Sequence, residues 1–191
     1  MNNKITIVSG LPRSGTSMMM KVLQKGGMTL VYDDLRVADN DNPNGYFEYA
    51  KVKNLKEDNS WLFDAQGQAI KILFNFLYFL PQKYKFKIIF MQRNMQEILA
   101  SQNKMLLRSG KSIGQDNRQF EILFNSEIIK CKDWLKNQKN IDTINVSYNQ
   151  IMETPFPICQ SINNFLEKSL NLDGMVNAID KSLYRNKSDK L

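Results

Sequence analysis

Histidine is absent from all 191 residues. A Ser-His-Asp triad, a histidine-ligated metal site and an imidazole general base are therefore excluded. Cysteine occurs twice, at Cys131 and Cys159, far apart and in no metal-ligand spacing. No metal site is expected, and both thiols are expected to be reduced and partly buried. Long apolar runs are also missing. The longest, Ile70–Leu80, is interrupted by Lys71 and Asn75. It falls short of the ~20 residues of a membrane helix, so it reads as a core element and no membrane span is expected. The first apolar run is short and leads straight into a loop, unlike a signal peptide, which makes a cytoplasmic location the expectation. Basic and aromatic residues are not interleaved as stacking platforms require, so nucleic acid is not an expected partner. Repeats and low-complexity tracts are lacking.

What is present has the balance of a globular protein, 42% hydrophobic and 24% charged. The length matches the usual domain size of roughly 100–200 residues, and residues 1–191 are read as a single domain. Lysine and arginine number 26 against 19 acidic residues, a net charge of +7. The positive residues are dispersed, apart from the tail Lys181–Lys190. Such a balance suits a small polyanionic ligand, or simply a solvated surface.

The most informative stretch is 9–20, SGLPRSGTSMMM. It follows the apolar run Ile5–Val8, a plausible buried strand, and precedes Ser17–Leu23, which has helix formers and apolar spacing. Strand, glycine-containing loop and helix in that order aim backbone N–H groups and a helix N-terminus at one point, which suits an anion. Gly10 and Gly15 have the spacing of the nucleotide-binding loop GxxxxGK[ST], but Thr16 stands where the phosphate-gripping lysine belongs. The cation is Arg13, inside the loop. A capped strand–helix turn with Arg13 in solvent is the plainer reading of the same residues.

Further along, the first helix should run to about Lys25 and stop at Gly26–Gly27. Met28–Tyr32 reads as a short strand, and 33–45, rich in Asp, Asn, Pro and Gly, as a long loop. Ala69–Leu73 reads as a strand flowing into an apolar helix that stops near Pro81. Phe86–Gln92 is the clearest strand. Helices are expected over 95–108 and 116–138, a strand over 141–146, and a helix over 155–166 with proline in its first turn. Strands alternating with helices imply an α/β protein, a P-loop-like parallel β-sheet flanked by α-helices on both faces. Its ligands would gather at the carboxyl ends of the strands. Arg13 and Arg93 both fall just after predicted strands. The ten methionines read as core packing or as a flexible pocket lining.

The segment PRSGTS after a strand resembles the 5′-phosphosulfate loop of sulfotransferases, enzymes that use 3′-phosphoadenosine 5′-phosphosulfate (PAPS). The resemblance extends to a strand ending in Arg93 with Ser101 eight residues later on the following helix. It implies that Arg13, Ser14, Gly15, Thr16 and Ser17 hold the 5′-phosphosulfate, and that Arg93 and Ser101 hold the 3′-phosphate. Transfer needs alignment, charge stabilisation at the bridging oxygen and a base for the acceptor proton. Arg13 would pair with the phosphosulfate. Lys71, alone in an apolar run, would stabilise the departing charge, or else snorkel from a half-exposed strand. With histidine absent the base must be a carboxylate. Glu48, in a stretch Asn42–Glu48 similar to one in bacterial sulfotransferase-like proteins, leads Asp33 and Asp34, or is simply structural. Tyr148–Ile151 sits where the family has a Tyr-Glu-Asp-Leu-like stretch, without its acidic pair. Ser182–Lys187 would close over the 3′ side or form a basic tail.

The reading is thus a PAPS-dependent sulfotransferase that passes a sulfuryl group to a hydroxyl or amine of a small-molecule or glycan acceptor and releases 3′-phosphoadenosine 5′-phosphate (PAP). The rivals are a P-loop phosphotransferase using ATP and Mg²⁺, and a nucleotide-binding module without chemistry. The 33–68 region is expected to shape the acceptor pocket.

Overall fold

The computed structural model describes residues 3–39, 42–110 and 117–185. Along the chain run β1 (Lys4–Gly10), α1 (Thr16–Lys25), β2 (Leu30–Val31), β3 (Ala69–Lys71), β4 (Lys85–Gln92), α2 (Met95–Arg108) and α3 (Asn117–Lys136). They continue with β5 (Ile141–Ser147), α4 (Tyr148–Glu153), α5 (Pro155–Leu166) and α6 (Leu172–Asn177). The strands form one parallel sheet in the order β2-β3-β1-β4-β5. The α/β fold read from the sequence is the fold observed.

β1 is central because it can be dry on both sides. Its Ile5 and Ile7 point into one cluster and Val8 into the other, the alternation of a pleated strand with both faces covered. β4 repeats this, with Phe86, Ile88 and Phe90 on the first face and Ile89 and Met91 on the second. Complete burial of such a side chain is worth ~1.5–3 kcal/mol. On the second face pack α1, α4, α5 and α6, through Met19, Leu23, Ile151, Ile162 and Met175. Most of the methionine reading resolves here, since Met19 and Met20 are core and Met18 is only half-buried.

The first face is covered differently from expectation. Ile128, Cys131 and Leu135 of α3 contribute, as does a series of 3₁₀ turns at Ala50–Asn54, Ser60–Leu62 and Phe74–Phe79. The expected apolar helix before Pro81 is the last of these turns. Its aromatic-rich sequence has modest helix propensity, and Leu80, just before Pro81, is extended at φ −67, ψ 126. The expected strand Met28–Tyr32 contracts to Leu30–Val31 at the sheet edge. Much of 50–68 buries Val52, Leu55, Trp61, Leu62 and Ala65 in this face. It is scaffold, and from the 33–68 region only residues between 36 and 48 reach the pocket described below.

Both cysteines are buried, and burial pushes each thiol up to about 11. Among the described residues no helix is long and apolar enough to cross a membrane.

Candidate active site

β1 ends at Gly10, and the chain turns through Leu11–Gly15 into α1. Two glycines permit the turn. Gly10 has φ 140, and a Cβ there would stand 2.6 Å from Met91 O. Gly15 caps α1 at φ 99, and the Tyr148 ring fills the space its side chain would need. Between them Arg13 adopts φ 70, a left-handed conformation that costs a non-glycine residue roughly 1–2 kcal/mol. Ser14 closes the turn, its amide and hydroxyl both donating to Leu11 O at 3.2 and 2.7 Å. α1 has neither a side-chain cap nor an acidic residue in its first turn. Nothing of its own therefore competes for the first-turn amides, and the positive end of the helix is left open in a way that suits an anion.

β4 delivers Arg93 beside this loop. Its Nε donates to Glu97 Oε2 at 2.8 Å and its Nη1 to Arg13 O at 3.3 Å. The guanidinium lies 4.3 Å from the Tyr148 ring and 5.7 Å from that of Tyr184. Glu97 is fully buried, and it also accepts from Asn149 Nδ2 at 3.0 Å and Tyr184 OH at 2.9 Å. Burial, then the bond to Glu97, pushes the Tyr184 phenol up to about 12, so it stays a proton donor. Ser101 is claimed by the other arginine, its Oγ accepting from Arg13 Nε at 3.0 Å. Arg93 and Ser101 thus belong to one cationic network with Arg13 as the link.

Lys71 closes β3, in register with Val8 of β1. Its ammonium donates to Tyr46 O and lies 3.6 Å from Glu48 Oε1. The side chain is 6% exposed, and burial, only partly offset by Glu48, lowers its pKa from 10.5 to about 8. Glu48 also holds Arg36 Nη1 at 3.0 Å, and Arg36 stacks 3.4 Å over the Tyr46 ring. The 42–48 segment is stitched to α1. Asn42 Nδ2 donates to Ser17 Oγ at 2.9 Å, Ser17 Oγ to Tyr46 O at 3.3 Å, and Lys21 to Asn44 Oδ1.

These elements enclose a cavity of about 380 Å³ at the carboxyl ends of β1, β3 and β4, where open α/β sheets place their ligands and within the usual ~300–1,000 Å³ of ligand pockets. Arg13, Gly15, Thr16, Ser17, Glu48, Lys71, Arg93 and Ser101 all border it. Ser14 does not, being turned into the loop. Asp33 braces its own loop through Leu35 N and Ala50 N, and neither Asp33 nor Asp34 reaches the wall. Arg185 borders the cavity, whereas Lys187 lies outside the described residues. Among the described residues no group of three or more acidic or cysteine side chains could hold a metal.

Glu97 and Arg36 escaped the sequence reading, which marked Tyr148 only as part of the 148–151 stretch. Tyr148 packs against both Gly15 and Arg93, a contact no local pattern announces. Glu97 was visible as an i,i+4 partner of Arg93. Arg36 sits in a loop whose path only the fold defines. Asn149, in place of an acid, avoids setting a second carboxylate beside Glu97.

No protein-family model matches the chain, and no curated protein matches it in sequence. Solved structures do. A mouse sulfotransferase, SULT7A1, complexed with PAP, is similar at 16% identity and a TM-score of 0.62, over 100% of this chain and 70% of that one. The sulfotransferase domain of a Synechococcus olefin synthase is similar at 14% identity and a TM-score of 0.55, over 98% and 82% of the two chains. That of the curacin biosynthetic pathway is similar at 12% and 0.53, over 93% and 78%. The chain has a sulfotransferase-like fold.

Proposed function

We propose that this single-domain chain is a sulfotransferase that moves a sulfuryl group from PAPS to a hydroxyl or amine acceptor and releases PAP. The observation that carries the reading is the convergence, on one cavity, of an uncapped helix N-terminus and a second cationic station, joined by the 3.0 Å bond from Arg13 to Ser101. Two anion stations suit a nucleotide phosphorylated at both ends. The similarity to a sulfotransferase solved with PAP supports the same donor.

In this reading the amides of Gly15, Thr16 and Ser17 with Arg13 hold the phosphosulfate, and Arg93 with Ser101 holds the 3′-phosphate. The acceptor oxygen attacks sulfur, forming the new O–S bond as the bond from sulfur to the phosphate oxygen breaks. Glu48 takes the acceptor proton. The Lys71 ammonium faces the charge gathering on the phosphate oxygen, so it acts in its protonated form. Because Lys71 and Glu48 are 3.6 Å apart, base and charge stabiliser act at one point.

Calorimetric titration with PAP, AMP and ATP–Mg²⁺ tests this. PAP should bind much more tightly than AMP, and Arg93→Ala should reduce the difference. Binding of ATP–Mg²⁺ without PAP would instead mean a phosphotransferase.

A further inference from the structure

Arg93 borders the cavity, whereas Glu97, Asn149 and Tyr184 lie outside its wall. The Nε of Arg93 donates to Glu97 Oε2 at 2.8 Å, while Oε1 accepts from Tyr184 OH at 2.9 Å and from Asn149 Nδ2 at 3.0 Å. The Glu97 side chain is fully buried and that of Arg93 only 7% exposed. Asn149 Nδ2 also donates to the Tyr184 oxygen at 2.5 Å. Its Oδ1 accepts at 3.4 Å from the amide of Asn94, the residue after Arg93. The Tyr184 ring meets that of Tyr148 edge-on, with centroids 5.4 Å apart, and the Arg93 guanidinium lies within 5.7 Å of both rings.

Tyr184 reaches this point from the far end of the described chain. It follows the 3₁₀ turn Lys181–Leu183, which is pinned where Asp180 Oδ1 accepts from Ser182 N at 2.9 Å and Lys181 Nζ donates to Glu153 O at 3.3 Å. Leu183 and Arg185 on either side of it both border the cavity. An arginine attracts a phosphate by charge from many directions. Reading the phosphate's position needs the planar fork held in one direction. Tyr184 and Asn149 supply that restraint, because they hold one oxygen of Glu97 while the other meets Nε.

We infer that Tyr184 is a positioning residue for the donor's 3′-phosphate. Through Glu97 it sets the direction of the Arg93 guanidinium, and the same hydrogen bond lays its own segment along the cavity. The inference rests on the sulfotransferase reading, which places that phosphate at Arg93. Tyr184 touches no ligand in this role. Without its hydroxyl, Oε1 keeps one donor fewer, the carboxylate turns more freely, and more of its charge falls on Arg93. The arginine then still attracts a phosphate but no longer selects where on the ribose it sits.

The test titrates PAP, its isomer adenosine 2′,5′-bisphosphate and AMP calorimetrically into wild type and Tyr184→Phe. The two bisphosphates carry the same charge, so their affinity ratio reads direction rather than attraction. The substitution keeps the ring against Tyr148 and Arg93 and removes only the hydroxyl. Wild type should prefer PAP to its isomer. Tyr184→Phe should bind PAP about five- to tenfold more weakly, with that preference falling and AMP affinity changing less than about twofold. In an Arg93→Ala background, adding Tyr184→Phe should alter PAP affinity by less than about twofold, because the route through Arg93 is gone. An undiminished isomer preference in Tyr184→Phe overturns the inference. So do additive losses in the double variant, which would mean that Tyr184 acts on the ligand by another route. Equal weakening of all three nucleotides also overturns it, since that marks a structural role alone. If Arg93→Ala does not fold, the isomer ratio in the single variant decides. Wild type binding PAP no better than AMP fails the sulfotransferase reading and takes this inference with it. Wild type and Tyr184→Phe reading the 3′-phosphate equally well leaves that reading standing and removes only the role of Tyr184.

Discussion

Replacing Lys71 by methionine should stabilise the protein near neutral pH and abolish transfer, and the stabilisation should fade as pH rises. Methionine keeps most of the side-chain volume. Tyr46 O retains the Ser17 hydroxyl as a donor, and Glu48 retains Arg36 at 3.0 Å. What is removed is a buried ammonium whose pKa has dropped from 10.5 to about 8. A base with a depressed folded-state pKa binds its proton more weakly in the native than in the unfolded chain. Its protonation therefore costs stability in full below about pH 8, and stability rises with pH between the two values. At about pH 7 the cost is on the order of 3 kcal/mol, from ~2.5 pKa units at ~1.36 kcal/mol each. By about pH 9.5 the native lysine is largely neutral, and the cost falls to on the order of 1 kcal/mol. Urea denaturation of both proteins across this range should show the gap between Lys71→Met and wild type shrinking by roughly 2 kcal/mol. Wild-type transfer should decline above about pH 8 as the ammonium is lost. Stability curves that run parallel from neutral to alkaline pH would refute the assignment of a desolvated, charged Lys71.

Glu48→Gln should lower kcat by about 10²–10⁴-fold while PAP affinity stays within about twofold, measured by PAP release and calorimetry; an unchanged kcat removes Glu48 as the base. Gly15→Ala should cost about 1–3 kcal/mol and weaken PAP binding, since it combines φ 99 with a clash against Tyr148. Gly110→Ala, at φ 71 with no atom of the described residues within 4 Å of the new Cβ, should cost only the ~1–2 kcal/mol of the left-handed backbone. Glu97→Ala removes the carboxylate 2.8 Å from a nearly buried Arg93 and should destabilise by about 3 kcal/mol or more. PAP should restore more stability to this variant than to wild type, because a phosphate supplies the missing negative charge, and thermal melts with and without PAP decide it.

Much of the fold was legible because its signals are local. The β-branched run Ile5–Val8, the glycines at 10 and 15 and the helix formers after Thr16 each act within a few residues, and the observed β1, loop and α1 follow them. Pro155 opens α5 as a first-turn proline should. The covering of the first sheet face was not legible. A 3₁₀ turn such as Phe74–Phe79 exists because Leu77 finds the core, and short apolar runs do not reveal whether they will be helix or turn.

The candidate site divides in the same way. The strand–loop–helix signature with its two glycines, Arg13 within the loop and the absence of histidine are properties of the sequence alone. Which partners meet was decided only by tertiary structure. Arg13 reaches Ser101 across 88 residues of chain, and Glu48, not Asp33, arrives beside Lys71 because the 42–48 segment is stitched to α1. Backbone propensity is settled among neighbours in sequence. The meeting of two charged groups depends on strand order, and it is β1 lying between β3 and β4 that brings Lys71, Arg13 and Arg93 to one cavity.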